Sequence, residues 1–226
     1  MDKNEYNEWL HRKMDAQFPV FANFRKSLKR YQKYGLSEED CINGIRTACA
    51  FFGMPMPQLI EDMTNNPNGQ TMFVNRNRGS YLDDVLCYDL EELKRLGADS
   101  LYSYSLIMTH ECGHRLMQNT AIPGANNGQW EHELVADFFM GVRAAVDHFP
   151  NSAVEAVKKG LGGLQGAVTH PTGFLRIQII NYGFKIGSFD MLNNTKHPIT
   201  YYLERFEEWR QDNLNIIRLH QFPFLK

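Results

Sequence analysis

The residues His110-Glu111-Cys112-Gly113-His114 form the pattern H-E-x-x-H inside an apolar run, 101–118, whose spacing is typical of a helix. Residues four apart lie on one face of a helix, one turn from each other. His110 and His114 could therefore bind one zinc ion from the same side, with a coordination position left for water. Glu111 could face that water as a base, as in a zinc hydrolase. The alternative is an ordinary amphipathic helix with two solvated histidines and a glutamate.

Catalytic zinc usually takes three protein ligands. The metzincin pattern, which supplies a third histidine, is excluded because Met117 and Thr120 stand where it needs Gly and His. We therefore expect the third ligand on a second helix, predicted over 130–141. Glu133 and Asp137 are four apart and share one face of that helix. Glu133 is placed to reach the metal, and Asp137 to accept the second ring N–H of a zinc-bound histidine.

Two neighbouring residues are rival ligands. Glu131 is two residues from Glu133, so the two side chains point apart on a helix and at most one of them can bind the metal. His132 would give a three-histidine site, but it does not share a face with Asp137. A further alternative treats both Glu133 and Asp137 as part of a solvated face, which the apolar neighbours of Asp137 disfavour.

These blocks resemble the gluzincin metallopeptidases, and more narrowly the M48-type peptidases and the bacterial neutral zinc metallopeptidases. A third block, 170–176 continued by 181–183, is similar to one that neutral zinc metallopeptidases have after the second helix. The resemblance covers roughly residues 70–187 and implies a zinc endopeptidase fold with Glu111 as general base. The matching residues of the first two blocks are His110, Glu111, His114, Glu133, Ala136, Asp137 and Gly141. M48-type members usually carry transmembrane helices, and this chain has no apolar stretch long enough for one.

The predicted mechanism gives each polar residue of the site a role. Glu111 takes a proton from the attacking water and later returns it to the leaving nitrogen. The developing oxyanion needs a donor beyond zinc, for which His170 is the candidate, with Arg176 or Tyr182 behind it. The alternative is that His170 only caps a helix that begins near Pro171.

The functional prediction is a zinc metalloendopeptidase that acts on a peptide or protein substrate, with Zn²⁺ bound by His110, His114 and Glu133. Two other classes stay open. One is a metal hydrolase that acts on a non-peptide amide or on its own chain, and the other is a zinc-stabilised interaction module without activity. A structural zinc site would be closed by a fourth protein ligand and would have no use for a base such as Glu111.

Composition limits the range of partners. The 226 residues are 43% hydrophobic, which favours a single domain over 1–226. The 24 basic and 26 acidic residues nearly balance, so nothing indicates binding to nucleic acid or an anionic membrane. The charged residues 1–5 do not resemble a secretory signal, and the four cysteines form no C-x-x-C pair. We therefore expect a cytoplasmic protein with reduced, buried thiols, and make no prediction of its oligomeric state.

The predicted fold class is α+β and mostly helical, a zincin-like core with a small sheet and two antiparallel metal-binding helices. The sheet is predicted from two candidate strands, 71–75 and 84–88. Ser37 is the predicted N-cap of a helix that ends near Phe52.

The predicted domain organisation has three parts within the single domain. They are a helical N-terminal extension at 1–65, which includes a basic cluster at 26–33, the zincin-like core at 70–187, and a C-terminal helix within 198–226.

Overall fold

The computed structural model describes the backbone of residues 35–61, 72–78, 81–88, 90–119, 129–195, 197–221 and 223. It describes side chains at 35–37, 39–57, 92–117, 130–195, 197–221 and 223. The helices in this part of the chain are α1 (Glu38–Phe51), α2 (Leu90–Arg95), α3 (Leu101–Asn119), α4 (Gln129–Val146), α5 (Asn151–Gly162), α6 (Gly173–Leu192), α7 (Ile199–Asp212) and α8 (Leu214–Gln221).

Helix α4 lies at the centre of the packed body because its sequence is apolar on nearly every face. Every residue of α4 from 133 to 145 is buried. A helix that is apolar all round has to be covered by several neighbours. Helices α3, α6 and α7 all pack against α4, and α1 packs against α3.

Glycines allow the backbones of α4 and α6 to touch. A Cβ atom on Gly141 of α4 would overlap the carbonyl oxygen of Ile180 in α6. In the other direction, a Cβ atom on Gly183 would overlap the carbonyl oxygen of Phe138. This close approach holds the first turns of α6 beside the face of α4 that carries Asp137.

Helices α3 and α4 run antiparallel, as the order of their contacts shows. His110 of α3 lies beside Asp137, whereas His114, one turn later, lies beside Glu133, one turn earlier. Between these two levels, a Cβ atom on Gly113 would come within 2.8 Å of the Cα of Ala136. The small residue at 113 therefore lets the two helices approach closely where both carry polar side chains.

The predicted α+β class with a small sheet is wrong. Among the residues that can be interpreted with their side chains, 76% are helical and none lies in a strand. Backbone pairing joins three short segments, β1 (Gln58–Glu61), β2 (Met72–Arg78) and β3 (Tyr81–Tyr88), with β1 parallel and β2 antiparallel to β3. The core formed by the described side chains is built of helix on helix. Strand propensity is a local signal and does not decide which elements bury the core.

Other predicted elements have mixed outcomes. The Ser37 N-cap is confirmed: its side chain accepts a hydrogen bond from the Asp40 N–H at 3.0 Å, and the Asp40 carboxylate accepts one from the Ser37 N–H at 2.8 Å. The predicted C-terminal helix is two helices, α7 and α8, with Asn213 between them. The basic cluster at 26–33 lies outside the described residues.

In the described part of the chain, no helix has both the length and the apolar character needed to cross a membrane.

Candidate metal centre

Three side chains from α3 and α4 converge in the predicted way. The Nε2 atoms of His110 and His114 lie 2.9 Å apart. Glu133 Oε2 is 3.4 Å from His110 Nε2, and Glu133 Oε1 is 3.3 Å from His114 Nε2. Among the described residues these three form a cluster whose ligand atoms all lie within 4.8 Å of one another.

The spacing of these atoms fits a small tetrahedral cation. Zinc forms bonds of about 2.0–2.2 Å to imidazole nitrogen and carboxylate oxygen, so two ligand atoms of a tetrahedral site are separated by about 3.3 Å. The two nitrogen–oxygen distances, 3.4 and 3.3 Å, match this value. The nitrogen–nitrogen distance of 2.9 Å is shorter, so the imidazoles must separate slightly to share an ion. Two nitrogens and one carboxylate form a donor set that suits zinc.

A second layer of polar residues supports this cluster. His110 Nδ1 lies 2.9 Å from Asp137 Oδ1, at hydrogen-bond distance. Asp137 is fully buried and in turn accepts two hydrogen bonds from Arg176 of α6, from Nε at 2.7 Å and from Nη2 at 2.9 Å. A histidine that gives its Nδ1–H to a carboxylate presents Nε2 as a free lone pair, which is the tautomer that binds a metal.

The electrostatics of the cluster favour a positive charge. Burial alone would lower the pKa of His110, but Asp137 and Glu133 more than reverse this and raise the pKa to about 10. For His114, burial and the neighbouring His110 lower the pKa. The pKa of Glu133 is well below its usual range, because its contacts with the two histidines outweigh the effect of burial. The two carboxylates therefore focus negative potential on the point where the imidazole nitrogens meet.

Glu111 is buried and lines the same cavity as the cluster. Its pKa is raised to about 8, first by burial and then by the charges of Glu133 and Glu92, against the opposing effect of His110 and Arg176. With this pKa, the carboxyl group of Glu111 carries a proton at neutral pH in the metal-free protein and can exchange it close to that pH. The cavity has a volume of about 710 Å³.

The structure brings His170 to the cluster from the segment before α6. Its Nε2 lies 3.4 Å from Glu133 Oε1, and its Nδ1 is 2.7 Å from the hydroxyl of Thr169. The ring is partly exposed to the cavity. The alternative role as a helix cap is wrong, because α6 begins at Gly173 and its N-cap position is Thr172.

The two residues predicted to lie behind His170 have different positions. Arg176 lies within the site, where it holds Asp137 and its Nη2 is 3.6 Å from Glu133 Oε2. Tyr182 lies elsewhere: its hydroxyl contacts the carbonyl of Arg205 at 3.4 Å. The sequence pattern at 170–176 indicated Arg176 as a candidate site residue, but it did not predict that Arg176 pairs with Asp137.

The rival ligands do not join the cluster. Glu131 is buried on α4, where burial raises its pKa and Arg210 of α7 acts in the opposite direction. His132 lines the cavity but contributes no atom to the group of ligand atoms. Glu133, one turn before Asp137, is therefore the third candidate ligand.

The centre thus combines three candidate metal ligands, a buried carboxyl group beside them, and a histidine at the rim of a cavity. Comparison with protein-family models, with curated proteins and with solved structures finds no match. The function of this centre is therefore inferred from its own geometry and chemistry.

Proposed function

We propose that this protein is a zinc-dependent metallopeptidase. The observation that supports the proposal best is the convergence of three donors, from His110, His114 and Glu133, at one edge of a cavity that Glu111 also lines. Three protein donors beside an accessible space are the arrangement of a catalytic zinc site, which keeps one position for water or substrate.

Each of these residues has a defined task in the proposed reaction. His110, His114 and Glu133 hold the ion, and zinc bound there supplies a Lewis acid that lowers the pKa of a water molecule. Glu111 accepts the proton of the attacking water and then transfers it to the leaving nitrogen. Because Glu111 is shielded from bulk solvent, the proton stays within the site between these two steps.

The remaining polar residues orient a proposed ligand and stabilise the charge that develops on the substrate. His170 donates a hydrogen bond to the oxyanion that develops on the substrate carbonyl. Asp137 fixes the ring of His110, and Arg176 fixes Asp137 through a pair of parallel hydrogen bonds. Arg176 acts through Asp137, so it is a positioning residue.

The first experiment combines metal analysis with an activity measurement. The purified protein is depleted with a chelator, reloaded with one equivalent of zinc, and incubated with an unbiased library of peptides. We expect one zinc ion bound per chain and peptide hydrolysis that depends on zinc. Binding of zinc without cleavage of peptides or of a panel of simple amides would instead support the inactive interaction module. Cleavage of amides alone would support the non-peptide hydrolase.

A further inference from the structure

Two thiols on different helices meet inside the core. The Sγ atoms of Cys49 in α1 and Cys112 in α3 lie 3.7 Å apart. Both side chains are buried, and both cysteines are free. The S–S bond of a disulfide is about 2.0 Å long, so the two sulfurs need to approach each other by less than about 2 Å to become bonded. We call these two residues the thiol pair.

The register between α1 and α3 is fixed on the N-terminal side of the thiol pair. Ser105 Oγ in α3 donates to the carbonyl of Gly44 in α1 at 3.2 Å, and it also lies 3.2 Å from Thr47 Oγ1. A Cβ atom on Gly44 would overlap the ring of Tyr104. Because these contacts precede the thiols on both helices, α1 and α3 run in the same general direction here. The register that places Gly44 at Ser105 therefore also brings the two thiols together.

A buried cation acts on both thiols. Arg143 of α4 is almost wholly buried, and its Nη1 donates to Thr109 Oγ1 at 2.7 Å and to the Ser105 carbonyl at 3.2 Å. Contact with the Cys112 thiol lowers the pKa of Cys49, burial opposes this, and the charge of Arg143 lowers the pKa further. Positively charged surroundings of this kind are typical of thiols that react with oxidants.

Cys49 is placed to meet an oxidant first. It lies in the last turn of α1, and its carbonyl accepts a hydrogen bond from the N–H of Met54 at 2.9 Å. Gly53, in the turn between them, has a φ of 65°, and nothing lies within 4 Å of the Cβ that another residue would carry there. The chain at this turn therefore borders open space. Because helix ends fray, opening of the last turn exposes Cys49.

The other thiol lies on a more firmly held helix. Cys112 is in the interior of α3, and a Cβ atom on its neighbour Gly113 would come within 2.8 Å of the Cα of Ala136 in α4. This backbone contact leaves α3 little freedom to shift beside the thiol pair. We therefore expect the last turn of α1 to supply most of the movement that joins the two sulfurs.

We propose that Cys49 and Cys112 form a reversible disulfide in response to hydrogen peroxide, which ties α1 to the helix that carries two of the candidate metal ligands. The Cys49 sulfur attacks one peroxide oxygen and the O–O bond breaks. The other oxygen leaves with the thiol proton as water, and Cys49 becomes a sulfenic acid.

The second step uses the neighbouring thiol. The Cys112 sulfur attacks the Cys49 sulfur, the S–S bond forms and the S–O bond breaks. The sulfenic oxygen leaves as a second water with the proton of Cys112. Two thiols are thus oxidised to one disulfide while one peroxide is reduced to two waters. Neither step involves the candidate metal ligands, so the inference does not depend on the proposed peptidase function.

The first test identifies the linkage. The full-length protein is treated with hydrogen peroxide, its remaining thiols are blocked, and its peptides are mapped by mass spectrometry. We expect a disulfide between Cys49 and Cys112 in wild type and also in Cys41→Ala, the matched control, because Cys41 is buried on the same helix. Thiols that stay reduced until the protein is denatured would overturn the proposal. A disulfide that joins other cysteines instead would also overturn it.

Thermal stability is a second readout. The disulfide joins residues 63 positions apart, and cross-links that close long loops stabilise the folded state. Oxidation should raise the Tm of wild type and of Cys41→Ala by about 5–15 °C, and dithiothreitol should reverse the gain. Cys49→Ala should show no reversible gain, and an equal gain in that variant would overturn the proposal. If Cys49→Ala does not fold, Cys112→Ala removes the other half of the thiol pair.

Zinc content tests which helix moves. If α1 supplies the movement, the zinc-loaded protein should keep its metal after oxidation. Loss of zinc on oxidation of wild type, without loss from Cys49→Ala, would overturn this assignment, because it would show that the disulfide displaces α3. A protein that forms the disulfide and cleaves no peptide would support the thiol pair while the peptidase function fails. Peptide cleavage without the disulfide would give the opposite result.

Discussion

Arg176 donates two parallel hydrogen bonds to the carboxylate of Asp137, from Nε to Oδ2 at 2.7 Å and from Nη2 to Oδ1 at 2.9 Å. Both side chains are buried, and Asp137 also contacts His110. The chain of contacts from Arg176 through Asp137 to His110 links α6 to the face of α3 that carries the candidate metal ligands. It makes the orientation of a proposed zinc ligand depend on a helix that supplies no ligand itself.

Breaking this buried ion pair should be costly. Arg176→Met leaves Asp137 without its main compensating charge, so we expect the free energy of unfolding to fall by about 3–5 kcal/mol. The control is Arg205→Met, which removes an ion pair between partly exposed Arg205 and Glu208 and should cost about 0–1 kcal/mol. Urea denaturation of both metal-free proteins measures the difference, and equal losses would contradict a structural role for the Arg176–Asp137 pair.

The identity of the third ligand can be tested by metal affinity. Glu133→Ala removes the carboxylate that lies 3.3–3.4 Å from both imidazoles, so it should abolish most of the zinc affinity. Asp137→Asn keeps all three candidate ligands but weakens the support of His110 and the pair with Arg176, and should weaken zinc binding by about 10- to 100-fold. Glu131→Ala is the control and should bind zinc as wild type does. If zinc affinity survives in Glu133→Ala, then Glu131 or His132 is the better candidate.

The pH dependence of stability follows from the two raised pKa values. The pKa of Glu111 is about 8 in the folded protein against an ordinary value of 4.5, and that of His110 is about 10 against 6.5. A raised folded-state pKa contributes stability at low pH that is lost as the pH rises through the folded value. The Tm of the metal-free protein should therefore fall between pH 6 and pH 9.

Zinc should reverse that trend, because the metal binds the neutral form of His110 and displaces its proton. Calorimetric titrations at pH 7 in buffers of different ionisation enthalpy should show release of about one proton per zinc from this histidine. Zinc affinity should rise with pH over the same range. A Tm of the metal-free protein that rises from pH 6 to pH 9 would contradict the charge arrangement described for the site.

The packing of α4 against α6 gives a prediction independent of the metal. Gly141→Ala places a methyl group against the carbonyl oxygen of Ile180 and should destabilise the protein by about 1–3 kcal/mol or more, as overpacked cores do. Gly163→Ala is the matched control, because nothing lies within 4 Å of its added Cβ and its φ is −80°. It should be neutral, or stabilising by up to about 1 kcal/mol. Thermal denaturation followed by circular dichroism compares the two.

The role of His170 is testable separately from metal binding. His170→Ala should lower kcat by about 10²- to 10³-fold, as loss of one oxyanion donor does, while zinc content stays the same. His148→Asn is the control: His148 is exposed with a φ of 56°, a conformation that asparagine tolerates, and its loss should leave kcat unchanged. Loss of zinc from His170→Ala would indicate that His170 helps to bind the metal.

Local spacing made the three donors predictable from the sequence. His110 and His114 share a helical face whatever surrounds them, and Glu133 and Asp137 do the same on α4. The pairing of Asp137 with Arg176 joins residues 39 positions apart and depends on how α6 packs, which no spacing rule contains. The prediction that Tyr182 lies behind His170 was wrong for the same reason.

The predicted α+β class was wrong for a related physical reason. Alternating apolar residues at 71–75 and 84–88 indicate that each short segment can form a strand. They do not indicate how the core is built, which depends on α4, because this apolar helix has to be covered by other helices.

The central claim is that Glu111 is the general base beside a zinc ion held by His110, His114 and Glu133. The most direct test is kcat/KM for peptide hydrolysis by Glu111→Gln after its zinc content has been measured, with Glu155→Gln on the surface of α5 as the control. The account predicts one zinc per chain in both variants, with kcat/KM reduced about 10²- to 10⁴-fold in Glu111→Gln and unchanged in Glu155→Gln. A Glu111→Gln protein that binds zinc and keeps full peptidase activity would contradict it.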